Sequence, residues 1–191
     1  YGLSFSADGP LDMRLDPRLE RTAADLVNSL DERELADALY RLADERYSRR
    51  IARNIAEERR RSPILSTGRL AEIVRSASPR RGYDPGRRGG APRKIDPATR
   101  TFMALRMLVN REVENLGRLL EIGPKRLACG GTMAVISFHS TEDRLIKQAF
   151  RAAEAGGLVS IVNRKPICPA DAELDRNPRS RSAKLRLIAR K

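Results

Sequence analysis

The apolar positions change period along the chain, and the changes mark out its elements. From Thr22 onward they recur at helical spacing: Leu26, Val27 and Leu30 share one face, and Leu35, Ala38, Leu39 and Leu42 repeat it after a capping-box start at Asp31 and Glu34. Tyr47, Ile51 and Ile55 form a second face, and Leu70, Ile73, Val74 and Ala77 a short third. Asp96-Pro97 offers an N-cap with Pro at the first helical position. It predicts one long helix carried by Phe102, Leu105, Leu108, Val109, Val113, Leu116 and Leu120, ending near Gly123-Pro124. Beyond Gly130-Gly131 the helical period is lost. Thr132 to Phe138 is a continuous apolar run, which reads as a parallel strand buried on both faces. Ser140 and Asp143 are expected to cap a helix reaching about Ala153, while Leu158 to Val162 and Lys184 to Ala189 read as strands.

This order of elements describes an α/β fold, the second half of a doubly wound sheet, preceded by a small all-helical unit. Residues 1 to 16 carry turn chemistry at Asp8-Gly9-Pro10 and Asp16-Pro17, so they read as a loop of the α/β core. The helical unit is placed at 17 to 95 and the C-terminal part of the core at 96 to 191. Within the former, residues 78 to 96 are rich in Gly, Pro and cations and predict a flexible basic loop. The chain opens at Tyr1 in turn-like residues without an initiator Met, so upstream sequence is expected.

Charge narrows the partners. Lys plus Arg number 38 against 25 Asp plus Glu, a formal net charge of +13. Most of the cations are Arg, whose planar fork grips phosphate through paired hydrogen bonds. Nucleic acid is the obvious partner, although a coding bias toward Arg would give the same composition. The densest run, Arg46, Arg49, Arg50, Arg53, Arg59, Arg60 and Arg61, lies on the helical unit with Glu57 and Glu58 the only nearby acids, which favours RNA contact over a merely solvated face. Aromatic residues are only 4%, which argues against a base-stacking platform. Cys129 and Cys168 stand far apart in no metal-ligand spacing, so no metal site is expected. No apolar run approaches a membrane span and no signal-peptide pattern opens the chain, so a cytoplasmic location without membrane contact is expected.

Candidate chemistry gathers in a few places. Asp8-Gly9-Pro10-Leu11-Asp12-Met13-Arg14 packs two carboxylates and a guanidinium into a tight loop, either at the mouth of a site or as a structural turn with a local ion pair. His139 and Ser140 follow the apolar strand, where α/β sheets bind ligands; His139 could equally order a backbone group there. Glu142-Asp143-Arg144 falls in the first turn of a helix, where the acids complement its dipole. Asn177-Pro178-Arg179-Ser180-Arg181-Ser182 reads as a polar loop before the last strand, suited to phosphate or ribose.

Four ordered blocks carry a resemblance. They are Asp8 to Arg14; Asp96 to Arg106 with Val109-Asn110; Ile136-Ser137-Phe138-His139-Ser140-Thr141-Glu142-Asp143-Arg144; and Asn177 to Arg186. Together they closely resemble the ribosomal RNA small-subunit methyltransferase H family, long known as MraW. The family usually has His where Asp96 stands, Gln at Met103 and Leu at Thr141, departures that affect local hydrogen bonding only. The resemblance implies a class I, Rossmann-like methyltransferase core, here its C-terminal half, carrying an inserted all-α subdomain that recognises RNA. It implies S-adenosylmethionine as cofactor, with the cofactor-binding positions expected upstream of Tyr1 and the fragment expected to be inactive alone. The implied substrate is the N4 amine of a cytidine in 16S ribosomal RNA of the small (30S) subunit. On this resemblance Asp8, Asp12, His139 and Ser140 are the candidate catalytic residues, and Arg14, Arg100, Arg106, Arg144, Asn177, Arg179 and Arg181 the candidate RNA contacts. A non-catalytic RNA-binding or ribosome-assembly protein is the alternative. A DNA N-methyltransferase would carry an Asp/Asn-Pro-Pro-aromatic motif, which is absent here. Oligomeric state is left open, a homodimer included.

Overall fold

Capping and amphipathic burial decide where the helices start and what they cover. The computed structural model describes residues 7–77 and 96–191. The basic loop expected at 78 to 96 therefore lies outside the described residues except for Asp96. The chain divides into two compact units, Tyr1–Arg111 and Glu112–Lys191.

The first unit is helical: α1 (Ala23–Ser29), α2 (Glu32–Ala43), α3 (Ser48–Arg59), α4 (Thr67–Ala77) and α5 (Ala98–Val109). Thr22 and Asp25 close a capping box on α1, each side chain bonding the other's backbone N–H. On α2, Asp31 caps by accepting from the Arg33 N–H. The periodic apolar residues meet in one core, with Leu35, Leu39, Ile51, Ile55, Leu70 and Leu105 fully buried. Burying each such side chain stabilises the unit by about 1.5–3 kcal/mol. Arg59, read from sequence as part of the exposed basic face, instead turns inward and donates to the carbonyls of Val27 (2.8 Å) and Leu30 (2.6 Å), satisfying the end of α1.

The Asp8–Arg14 loop is fastened to this core at both ends. Leu11 N–H donates to Leu65 O and Thr67 N–H to Gly9 O, both 2.9 Å. At the other end Met13, buried, has a φ of 64°, a costly left-handed conformation for a non-glycine residue. Asn110 holds it there: its Nδ2 donates to Met13 O (2.9 Å) and Arg106 O (2.8 Å), and its Oδ1 accepts from Leu15 N–H (2.8 Å).

The same Asn110 marks a correction. The long helix expected from Asp96 to Leu120 is two helices: α5 stops at Val109, Arg111 turns left-handed at φ 51°, and α6 (Glu112–Arg126) follows. The second helix also runs past Gly123-Pro124 to Arg126, with Pro124 inside its last turn despite the i→i−4 hydrogen bond that proline cannot make. The units divide between Arg111 and Glu112, whereas the pattern put the boundary at residue 95; Phe102, Leu105 and Val109 of α5 belong to the helical core.

The second unit is α6, β1 (Thr132–Ser137), α7 (Ser140–Ala155), β2 (Val159–Ile161), α8 (Asp171–Arg176), a 3-10 helix (Pro178–Ser182) and β3 (Lys184–Arg190). Its sheet has the order β1-β3-β2, with β3 antiparallel to both neighbours, so β1 and β2 run parallel without touching. The parallel pairing expected of β1 is thus not with its observed neighbour: Met133 faces Ile188 and Val135 faces Arg186 across an antiparallel ladder. Leu120, Ile146, Phe150, Val159 and Ile188 form the core between sheet and helices, with Met133 and Val135 packed against it.

The expectation of burial on both faces also fails for β1. Its inner positions are covered, but Ile136 is 58% and Phe138 54% exposed. An apolar run cannot distinguish a covered outer face from an apolar surface that is left open. Gly130 (φ 76°) makes the turn entering β1 and donates to Arg190 O, tying it to the end of β3.

Asn110→Ala is expected to destabilise the helical unit by about 1–3 kcal/mol, because it leaves Met13 O and Leu15 N–H without the side chain that satisfies them while the strain at Met13 must still be borne. Urea denaturation followed by circular dichroism measures it, and an unchanged midpoint would show the clamp to be idle.

Candidate functional site

At the carboxyl end of β1 the two strand faces present different chemistry, because successive side chains alternate. On the inner face Ser137 is 1% exposed and its Oγ has no hydrogen-bond partner. Two residues on, His139 Nε2 is likewise buried and without one. Orphaned buried polar atoms are rare and call for a reason. His139 is also the N-cap of α7: in extended backbone, its Nδ1 accepts from the Glu142 N–H at 3.4 Å. The expected caps, Ser140 and Asp143, instead lie inside the helix's first turn. Glu142 in turn accepts from Phe138 N–H through Oε2 (3.1 Å), which ties the start of the helix to the residue before its cap. Its Oε1 is 3.1 Å from His139 Nε2, but the N–H is not aligned for a hydrogen bond, so this contact becomes an ion pair only when the ring is protonated. With Nδ1 accepting, the proton of the neutral ring sits on Nε2.

On the outer face a pocket of about 480 Å³ opens, floored by Ile136, Phe138, Ile167 and Leu185, with Asn177, Arg179, Ser180 and Glu173 among its polar lining residues. Apolar walls with a few convergent polar groups are the usual make-up of a small-molecule site. Asn177 shapes that edge by accepting at its carbonyl from Ser180 N–H (2.9 Å) and Oγ (2.8 Å), while its Nδ2 donates to Glu173. The stretch read as a polar loop, 177 to 182, is therefore Asn177, at the end of α8, followed by a 3-10 helix. Arg179 and Arg181 are exposed there without an ion pair among the described residues.

Asp143 holds the site together. Its carboxylate takes Arg186 Nε at 2.7 Å and Nη2 at 3.2 Å, with Lys184 Nζ at 3.5 Å, and the Asp143 and Arg186 side chains are only 13% and 8% exposed. The Arg186 hydrogen bonds keep the Asp143 carboxyl below the usual range against the opposing cost of burial.

The remaining sequence-predicted residues fall mostly in the helical unit. Asp8 accepts from Gly68 N–H (2.7 Å) and Gly9 N–H (3.0 Å) at the start of α4, and the Gly68 bond lowers its pKa. A Cβ at position 68 would stand 2.8 Å from Asp8 Oδ1, so glycine is what lets the carboxylate seat there. Both Asp12 oxygens are taken by Arg14 (2.7 and 2.9 Å), which lowers the carboxyl's pKa, and Arg14 also donates to Pro17 O and Leu19 O. Arg100 donates to Asp44 O at 3.3 Å, beyond the end of α2, and Arg106 lies on α5. Arg144 is exposed in the first turns of α7, and Ser140 opens that helix. Asp8 and Asp12 belong to the helical unit, and His139 and Ser140 to the sheet unit.

Ser137 and the pocket floor were missed as site residues. A serine closing the inner face of an otherwise apolar strand was the available signal for Ser137; the open floor had none.

The family model described as the MraW methylase family matches residues 1–191. The chain belongs to the MraW methylase family. Curated relatives of this MraW-family chain include proteins named ribosomal RNA small subunit methyltransferase H. That of Acidobacterium capsulatum is 47% identical over 190 residues, covering 100% of this chain and 60% of the relative. The Solibacter usitatus protein is 49% identical over 187 residues, 98% of the chain and 60% of the relative. The Synechococcus elongatus protein is 49% identical over 189 residues, with 99% and 59% covered. The MraW-family chain thus spans about 60% of the length of these relatives. No helix among the described residues is long and apolar enough to cross a membrane.

Asp143→Asn is expected to cost about 3 kcal/mol at pH 7, because it leaves the buried Arg186 charge unpaired. Since the folded carboxyl pKa is depressed, the stabilisation is complete above the unfolded value near ~3.9 and is lost as pH falls through the folded one. The gap in urea midpoint between wild type and variant should therefore be full at neutral pH and close in acid; a gap independent of pH would contradict the assignment.

Proposed function

We propose that this chain carries base-holding and RNA-facing parts of an S-adenosylmethionine-dependent enzyme that methylates the N4 amine of a cytidine in 16S ribosomal RNA of the small subunit. The observation that carries the reading is the apolar-floored pocket at the carboxyl end of β1, lined also by Asn177 and Arg179, in a family whose curated relatives bear the name of that ribosomal RNA methyltransferase. The proposed architecture is a Rossmann-like core with the helical unit as its insertion. That β1 and β2 run in the same direction, each followed in the chain by a helix, supports it, although both pair antiparallel with β3.

S-adenosylmethionine would supply the methyl group. The described residues offer no cradle for it: no glycine-rich turn follows the carboxyl end of a strand, since Gly130 and Gly157, the glycines with positive φ, precede β1 and β2. No step is therefore assigned to cofactor contacts here.

What these residues do is hold a base. A cytosine must leave its stack to be reached, and a pocket with an apolar floor lowers the cost of keeping it unstacked. Arg179 and Asn177 at the lining suit the sugar and phosphate of the flipped nucleotide, with Arg181 in the same 3-10 helix as Arg179 and the exposed Arg144 on α7 as further proposed contacts. His139 is kept in the reading as a candidate catalytic residue; its ring lies on the inner face of the strand end and would have to turn outward to reach a base on the pocket floor. The exocyclic nitrogen must lose a proton as it gains a methyl group, so a proton acceptor is required. Asp8 and Asp12 remain the proposed acids of the reading, and Arg14 must release Asp12 for that residue to act. Arg14, Arg100 and Arg106, together with the exposed Arg46, Arg49, Arg50 and Arg60, make the proposed RNA contacts of the helical unit. Cytoplasmic location follows from the substrate.

The protein encoded by the complete reading frame, incubated with small ribosomal subunits and S-adenosylmethionine, is expected to produce N4-methylcytidine, read by mass spectrometry of nucleosides. His139→Asn retains a competent helix cap but not the imidazole, and should lower turnover about a hundredfold or more. Ribosomal RNA bound tightly but left unmethylated would instead support a non-catalytic RNA-binding protein.

A further inference from the structure

On the helix-covered side of the sheet, opposite the pocket, lies a notch of about 70 Å³ that none of the roles above uses. The two are on opposite faces because Leu185, in the pocket, and Arg186, in the notch, are consecutive in β3. Lys147 and Arg151, one turn apart on α7, and Arg164, after β2, surround it above the Arg186 guanidinium. Glu154 is the only acid among the lining residues, and one of its oxygens is engaged by Ile161 N–H at 2.9 Å.

Two features set this group apart from an ordinary solvated face. First, Lys147, Arg151 and Arg164 converge on one notch, and none of the three has an ion pair or side-chain hydrogen bond among the described residues. Second, the floor is built in advance. Arg186 is nine-tenths buried, locked on Asp143, and donates through Nη1 to Arg164 O at 3.4 Å. Asn163 fixes the same loop by accepting from Leu187 N–H (2.7 Å) and donating to Leu185 O (3.0 Å). Unpaired cations held around a cavity a few waters in size suit a small tetrahedral oxyanion and exclude a nucleobase.

We propose that this notch is a phosphate site which takes a backbone phosphodiester of the substrate RNA. RNA would then engage the sheet unit on both faces, with a base at the pocket and a phosphate at the notch. The choice of RNA rests on the function proposed above; the oxyanion chemistry does not.

The full chain, labelled with nitrogen-15, is titrated with inorganic phosphate, with a short single-stranded oligoribonucleotide, and with a peptide nucleic acid of the same sequence. Phosphate and RNA should move the Arg151 and Arg164 side-chain Nε–H resonances, and the uncharged analogue should not. By fluorescence anisotropy, Lys147→Glu with Arg151→Glu should weaken RNA binding about tenfold and flatten the log–log salt dependence by roughly one unit. Arg118→Glu with Lys125→Glu on α6 is the control of equal charge change, and should leave the slope at its wild-type value; an equal fall in both pairs would overturn the site. Tight RNA binding that the notch variant keeps, slope included, overturns the notch and leaves the RNA reading intact. Shifts with phosphate but no RNA binding by the wild type overturn the RNA source and leave a small-anion site.

Discussion

The buried pair between Asp143 and Arg186 is the contact on which the sheet unit turns. It fastens the first turn of α7 to the middle strand, and so fixes the direction in which the chain leaves β1. His139 can cap α7 with one ring nitrogen and keep the other buried beside Glu142 only because that junction is held. The same guanidinium floors the cationic notch. Two charges with so little exposure are costly to bury, and the cost is offset because every donor of Arg186 that points inward finds an oxygen.

The helical unit solves a different problem with the same means. Its loop from Asp8 to Arg14 contains a left-handed methionine, two carboxylates and a guanidinium, and none of these polar groups is idle. Asp8 sits at a helix start, Asp12 is closed by Arg14, and Asn110 clamps the far side. A segment that looks in sequence like a cluster of reactive groups is, in the folded chain, a fastened strap. The two descriptions are compatible, since strained and over-determined segments are where proteins keep functional groups in place.

Much of this was legible in the residues because amphipathic helices announce themselves. Leu35, Leu39, Ile51, Ile55, Leu70 and Val74 face the core as their spacing requires. What stayed illegible was non-local. The break at Asn110 and Arg111 depends on hydrogen bonds to Met13 and Leu15, nearly a hundred residues away in sequence. The direction of the pairing of β1 depends on a strand that comes last, and apolar character alone could not say that Ile136 and Phe138 stand open. Arg59 could not be separated from its exposed neighbours by pattern. The His139 cap was obscured because histidine is an uncommon residue at that position, and Ser137 because a lone serine at a strand end carries no periodic signal.

Placing the latest strand in the middle also imposes an order on synthesis. β1 and β2 have no hydrogen-bonded neighbour in this sheet until residues 184–190 have been made, whereas the core of the helical unit is complete once α5 exists. On a translating ribosome the helical unit can therefore be compact while the sheet unit is still an open chain. During that interval β1 and β2 lack the β3 partner that both use, so of the two units the sheet half is the later to complete this pairing.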